Sequence, residues 1–386
     1  MKLSKFAAGA VCLLAAMMSA EAQTPAPAQE QKPAEAPAAT PATTPAPPAP
    51  PTWSVGPIDF SGVVDVYADL NFNHPASGNN QLRNFDVKAN QFSLNMAKLT
   101  MEHTADPVGF RVDLGFGKAF DIFHATDPAG SGIRNIMQAY VSLKPPKWKG
   151  FQLDFGKFVT SAGAEVTETY LDWNYSRSLL YANGPYYHFG VRTSMPIGKY
   201  FTGGVQVVNG WNNVEDNNTG KTVGLTSAVV TKKVSWFTNY YTGPEKTGTN
   251  TGSRNFIDTV LLLTPNDKFA FNLNYDYGQD KRIGEGKDVF QGISAMAHYT
   301  INQHWSISPR IEWYQDGDGF ISGTPQTLKE FTLTGEYKWV EGLLTRLEYR
   351  RDWSDKGYFD RGATTASAKS QSTILIGFVA YFGPKR

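Results

Sequence analysis

The stretch "KFAFNLNYDYG", Lys268 to Gly278, decides the fold. Taken two residues at a time, it places Phe269, Phe271, Leu273, Tyr275 and Tyr277 on one face and Ala270, Asn272, Asn274 and Asp276 on the other. A period of two is the signature of a strand, because successive side chains leave a pleated backbone on opposite sides. About ten residues is also the span of a tilted strand crossing the hydrocarbon of a bilayer.

The same pattern repeats in both directions. "HWSISPRIEWY" (304–314) sets Trp305, Ile307, Ile311 and Trp313 against Ser306, Ser308, Arg310 and Glu312. "EFTLTGEYKW" (330–339) sets Phe331, Leu333, Tyr337 and Trp339 against Glu330, Thr332, Thr334, Glu336 and Lys338. "LLTRLEYRRDW" (343–353) opposes Leu343, Leu347 and Tyr349 to Arg346, Glu348, Arg350 and Asp352. Sixteen such segments are read, near 59–70, 90–103, 108–117, 134–144, 150–159, 186–196, 200–210, 221–231, 233–242, 255–264, 268–278, 289–301, 304–314, 328–339, 342–353 and 370–382. The second shifts parity near Ala97-Lys98, which predicts a bulge there.

The connections alternate in length. Short ones such as "ADPV", "PIGK" and "TPND" take turns with long ones at 71–89, 118–133, 160–185, 211–220, 243–254, 279–288, 315–327 and 354–369. A soluble sandwich has no reason to sort its loops this way. An all-β, up-and-down antiparallel barrel of about sixteen strands in an outer membrane does, with tight periplasmic turns and longer outer loops. Aromatics near the strand ends, among them Trp148, Trp236, Trp305, Trp339, Trp313 and Trp353, fit interfacial girdles. The last segment, "QSTILIGFVAYF", is amphipathic and ends on Tyr381 and Phe382, followed by Gly-Pro-Lys-Arg.

Closure also disposes of the charges. Arg111, Asp113, Asp154 and Arg192 in the first half, and Arg310, Glu312, Glu336, Arg346, Glu348 and Arg350 in the second, fall on the polar face. Toward lipid a basic residue at midplane costs roughly 2–4 kcal/mol. Facing inward they line water, and about sixteen strands leave an aqueous interior.

The N-terminus reads differently. Lys2 and Lys5, the apolar run Phe6 to Met18 and Ala20-Glu21-Ala22 form a secretory signal peptide, residues 1–22, too short to span a membrane. Residues 23–52 are rich in Pro, Ala, Thr, Gln and Glu and predict a disordered periplasmic tether ahead of a barrel over 53–386. The single cysteine, Cys12, lies in the signal segment, so the exported chain has neither disulfide nor thiolate chemistry. Without residues 1–22, 34 basic residues face 34 acidic ones, and no basic excess argues for nucleic acid.

The runs "NQFSLNMAKLTMEHTADPVGFRVDLGFG", "KFVTSAGAEV", "WNYSRSLLYANGPYYHFGVRTSMPIG" and "FIDTVLLLTPNDKFAFNLNYDYG" resemble the beta-barrel porin-2 (OmpL-like) family of Gram-negative bacteria, over about Ile58 to Phe382. The resemblance implies an outer-membrane porin. It carries over no residue-level role, and the lining residues above come from parity.

The long loop at 160–185 holds the densest chemistry. By position it is the third outer loop, and in many sixteen-stranded porins that loop narrows the lumen. Asp172 and Arg177 are expected to supply opposing charges, Glu165 and Glu168 further acidity, and Trp173 and Tyr175 packing against the wall. The alternative is a surface cap. No catalytic residue, cofactor or metal is expected: the six histidines are scattered, "DGDG" (316–319) lacks the rest of a calcium loop, and no G-x-S-x-G occurs. The expected function is passive diffusion of small hydrophilic solutes or ions, with outer-membrane lipid as surroundings and a homotrimer by analogy. The second reading is a surface adhesin or receptor with a blocked lumen. Adhesive barrels call for very long outer loops, and these are moderate.

Overall fold

The computed structural model describes residues 53–384. The segments read as signal peptide (1–22) and tether (23–52) lie outside these residues. Sixteen long strands run in chain order. β1 to β5 are Ile58–Asn71, Phe92–His103, Val108–Phe116, Ile136–Leu143 and Gln152–Val159. β6 to β10 are Tyr187–Ile197, Phe201–Val208, Thr222–Val230, Val234–Pro244 and Ser253–Asn266. β11 to β16 are Phe269–Lys281, Lys287–Thr300, Trp305–Asp316, Gln326–Val340, Leu343–Ser354 and Ser370–Phe382. Each pairs antiparallel with the next, and β16 pairs with β1 from Thr373↔Asn71 to Phe382↔Gly62. The sheet therefore closes as a barrel with no free edge, the condition for placing strands in lipid.

Burial follows the period of two. On β11, Asn274, Asp276 and Asp280 are buried while Phe269, Phe271 and Leu273 are exposed. In water that arrangement is inverted; in a bilayer the exposed apolar face meets lipid and the polar face turns inward. The seam is closed by aromatics: the Trp53 and Phe382 rings lie 4.8 Å apart, and a short strand, Ser54–Val55, pairs with the start of β1. The bulge in β2 sits at Asn95, since Asp65 faces Met96 while Val66 faces Leu94. Its extra residue turns the Asn95 amide inward, where it donates to Asp65 at 2.7 Å.

The wall is uneven. β3, β4 and β5 have 9, 8 and 8 residues, whereas β10 to β15 have 12 to 15. The second long loop, between β3 and β4, holds helix α1 (Lys118–Phe123), whose Ala119, Phe120 and Phe123 are buried against Met96 and Met137. Helix α2 (Leu179–Asn183) belongs to the third long loop. We call the first and third long loops L1 (72–91) and L3 (160–186).

Candidate functional site

L3 does not cap the rim. It enters the barrel and runs along the inward faces of the strands. Near its start, the Ser161 carbonyl accepts from Asn239 on β9, and Ala164 N–H donates to Asn274 on β11. Farther on, Asn174 donates to the Ser308 carbonyl and to Thr334, on β13 and β14. Trp173 stacks on His298 at 5.5 Å, and Tyr170 stacks on Tyr381 at 4.4 Å, close to the short-turn end of β16. The Tyr175 hydroxyl donates to Asp65 at 2.6 Å. Ser178 caps α2 by accepting from Tyr181 N–H at 3.0 Å.

An irregular segment inside a barrel carries backbone N–H and C=O groups that no ladder satisfies. Here the wall charges satisfy them. Arg310 donates to the carbonyls of Ser176 (2.7 Å) and Arg177, Arg350 to the carbonyl of Arg177 (2.6 Å), and Arg346 to those of Thr169 (2.6 Å), Asn174 (2.9 Å) and Asp172. Glu348 accepts from Tyr175 and Ser176 N–H, Glu312 from Leu179 N–H, and Glu165 of L3 itself from Ser178 N–H. A guanidinium with five donors and a carboxylate with about four acceptor positions suit this task, because each serves two or three backbone groups and a counter-charge together. The counter-charges are present: Arg310 with Glu165, Glu312 and Glu330, Arg350 with Asp352, and Arg346 with Glu336.

The residues singled out from the sequence fall into three groups. Glu165, Asp172 and Arg177, together with Arg310, Glu312, Glu336, Arg346, Glu348 and Arg350, make up L3 and its docking wall. Asp172 and Arg177 face each other within L3 at 3.0 Å, both buried. A second group lies on β2 and β3, separated from that wall by β16 and β1. Lys98 bridges Asp113 (3.3 Å) and Glu168, and Arg111 pairs with Asp113 (3.0 Å) and Glu102 (3.4 Å). Lys98 and Asp113 are buried, but Glu168 keeps 13% and Arg111 17% of its side chain exposed, and Leu171 on the same stretch of L3 is 56% exposed. The third group is Asp154 and Arg192, paired at 2.8 Å, with the guanidinium over the rings of Tyr140 (4.9 Å) and Phe158 (4.6 Å).

Parity could not find L1, which also folds inward. Arg83 reaches Asp86 (2.5 Å), Asp352 (3.0 Å) and Thr373 (3.0 Å), and Phe85 packs edge-on against Tyr181 of L3, under the Arg177 guanidinium. The sequence signal is an Arg and an Asp three apart, Arg83 and Asp86, with Phe85 between them in a polar loop.

Two electrostatic details follow. Burial works against the Glu168 charge, but the charge and hydrogen bond of Lys98 together with the charge of Arg111 outweigh it and hold the carboxyl below its ordinary value. For Asp172 burial wins over Arg177, with Glu165 adding repulsion, and the carboxyl is pushed up to about 7. Asp172 therefore contributes stability to the docked loop that is fully present below its ordinary value of 3.8 and is lost as pH rises through about 7. The expected result is that L3 is more easily clipped by protease at pH 8 than at pH 5, and that Asp172→Asn flattens the difference.

One glycine is required by L3. A Cβ on Gly377 of β16 would stand 2.3 Å from the Tyr175 ring. Gly377→Val should displace Tyr175, break its bond to Asp65, and cost about 1–3 kcal/mol through overpacking, read as a lowered thermal midpoint of the folded barrel.

Residues 57–382 match the family described as "Putative beta-barrel porin-2, OmpL-like". The chain belongs to this family. It is an outer-membrane porin, a channel-forming barrel. Solved structures share its fold at low identity. OmpT of Vibrio cholerae in its trimer form superposes with TM-score 0.57 at 13% identity, covering 84% of this chain and 99% of that one. The anion-selective porin from Comamonas acidovorans gives 0.57 at 11% identity, covering 84% and 99%. The outer-membrane channel DcaP of Acinetobacter baumannii gives 0.56 at 10%, covering 85% and 97%. No protein of curated function matches the sequence.

Proposed function

We propose that this porin passes small hydrophilic solutes and ions by passive diffusion and that L3 is its constriction. The observation that carries the proposal is the position of L3, docked inside the barrel on the charged wall of β13 to β15 and reaching across to Lys98 through Glu168. The passage would then run past Glu168, Leu171, Glu102 and Arg111, the exposed side of the loop and the wall that faces it. Single-channel recording of the purified, folded barrel in planar bilayers tests this. Discrete conductance steps are expected, and their absence in a correctly folded barrel would refute the channel reading. A receptor with a blocked lumen has one observation on its side, the burial of inward side chains where L1 and L3 pack, and the same recording separates the two.

Export and assembly belong to the same proposal. Processing after Ala22 gives a mature chain beginning at Gln23, which N-terminal sequencing checks. β4, β5 and β7, at 8 residues each, fall short of the 9–11 that a lone membrane-crossing strand needs. That sector is where neighbouring copies in a homotrimer would replace lipid, as chemical crosslinking in the membrane would report.

A further inference from the structure

We propose that the lipid-facing side of β13 to β16 binds the phosphorylated sugar headgroup of an outer-leaflet glycolipid, and that a groove beside it takes an acyl chain of the same lipid. A pair of cations on the outside of the wall, with no carboxylate to neutralise them, points there. From β11 to β16 the outward alternation carries no acidic side chain. Its ionised residues are Lys281, Lys287, Lys329 and Arg351, each within four residues of a long-loop end. The long loops of such barrels face away from the cell, so these cations stand at the level of the outer leaflet.

Arg351 shows the contrast with the inner face. Its chain neighbours Arg350 and Asp352 turn inward and pair at 2.8 Å. Arg351 turns outward, between Phe331 and Ser372 of the adjoining strands. Its guanidinium lies 5.2 Å over the ring of Trp353, which is two residues nearer the rim. A long basic side chain brings its head to the interface in this way. Among the described residues it meets hydroxyls alone, Ser370 at 3.3 Å and Ser372 at 3.5 Å, and its Nε is buried without an acceptor. Lys329, one row nearer the rim, is exposed between Trp313 and Trp353 and has no side-chain partner among the described residues. Flanking tryptophans mark the boundary between hydrocarbon and headgroups. The exposed acid at this edge, Asp355, is engaged by the Thr327 N–H at 2.8 Å and by Lys356 at 3.6 Å. Elsewhere on the rim exposed cations have acids of their own, as Arg282 has Asp288 and Asp318, and Lys221 has Asp216.

A guanidinium, an ammonium and two serine hydroxyls on one face suit a phosphate monoester, which accepts the paired N–H groups and the remaining donors together. The apolar part of the lipid has a place as well. On the same side of the wall, a groove of 410 Å³ is lined by Val66, Ala68, Phe92, Leu94, Ile376 and Phe378, from β1, β2 and β16. Ile376 shares the outward face of β16 with Ser372, four residues and so roughly 13 Å farther from the rim along the strand. A headgroup held at Arg351 therefore has an apolar groove beside it at the depth of its chains. A neighbouring copy is not the occupant. β13 lies eight strands from β5 around the closed ring of sixteen, on the other side from the short sector assigned to the trimer.

The test is native mass spectrometry of the purified, folded porin, delipidated in detergent and titrated with diphosphorylated lipid A. One lipid A is expected to stay bound, and Arg351→Gln combined with Lys329→Gln to weaken its retention by roughly tenfold or more. Ala68→Phe, which fills the groove from the lipid side, should weaken it too. Lys144→Gln, exposed at a short turn, is the control and should change nothing. An unaltered thermal midpoint shows that each variant is folded, since none of these side chains joins the internal network. Full retention in the folded double variant, or of lipid A stripped of its phosphates, overturns the phosphate site. An equal loss in Lys144→Gln reduces the effect to overall charge and overturns it too. Phosphatidylglycerol held as tightly overturns the glycolipid, and displacement by excess inorganic phosphate overturns a lipid in favour of a free anion. Full retention in Ala68→Phe overturns the acyl-chain groove. Binding is read without conductance, so a failed channel reading leaves these outcomes untouched.

Discussion

Deleting residues 166–180 raises single-channel conductance several-fold. The deletion removes Glu168, Leu171, Trp173 and the segment docked on Arg310, Arg346 and Arg350, which is the part of L3 that occupies the lumen. The barrel itself survives. None of its ladders uses L3, and Val159 pairs directly with Tyr187, so the strands that flank the loop meet whether it is long or short. Shortening a closed loop changes its closure entropy by only about 0.6 kcal/mol per halving. The arginines keep Glu330, Glu336 and Asp352 as partners and gain water where they lose carbonyls. Planar-bilayer recording of the folded variant is the measurement. Unchanged conductance would mean that the narrowest point lies elsewhere and that L3 is an internal brace.

The strands were legible because two solvents imposed one rule. Lipid outside and water inside make every second residue apolar over about ten positions. "KFAFNLNYDYG" carries that rule in full, and the sorted loop lengths add the topology. The bulge in β2 was legible only as a change of parity. Its place at Asn95, two residues ahead of where the pattern breaks, depends on the bond to Asp65, which belongs to another strand.

Parity ends where strands end, and so did the reading of the site. L3 was found by its length and position, but period two cannot say which way Asp172 or Arg177 turns in an irregular segment. Arg310 and Arg346 illustrate the deeper limit. Their inward direction was readable, whereas their partners, the carbonyls of Ser176, Asp172 and Thr169, are backbone groups that no residue identity announces. L1 stayed hidden for the same reason. Its contacts run from Arg83 to Asp352 and Thr373, across the closure of the barrel and 269 and 290 residues along the chain.

Arg310→Ala is expected to be the most damaging single substitution of the wall. Arg310 is fully buried and serves Glu165, Glu312 and Glu330 at 2.9 to 3.3 Å, as well as two L3 carbonyls. Removing it leaves three carboxylates crowded without their shared cation. Breaking a buried pair by deleting one partner costs about 3–5 kcal/mol, and water admitted to the cavity draws the result toward the lower figure. The loop should come loose before the barrel does, because the strands hold one another while L3 depends on this wall. The expected signature is therefore a drop in thermal midpoint together with a larger, flickering conductance. Arg310→Lys should rescue only part of it, since an ammonium keeps the charge but cannot hold a carboxylate and two carbonyls in one fork. Arg282→Ala, at an exposed pair with Asp288, is the control and should leave both readouts unchanged. A folded Arg310→Ala barrel with a quiet, wild-type current would show that L3 is held without this arginine.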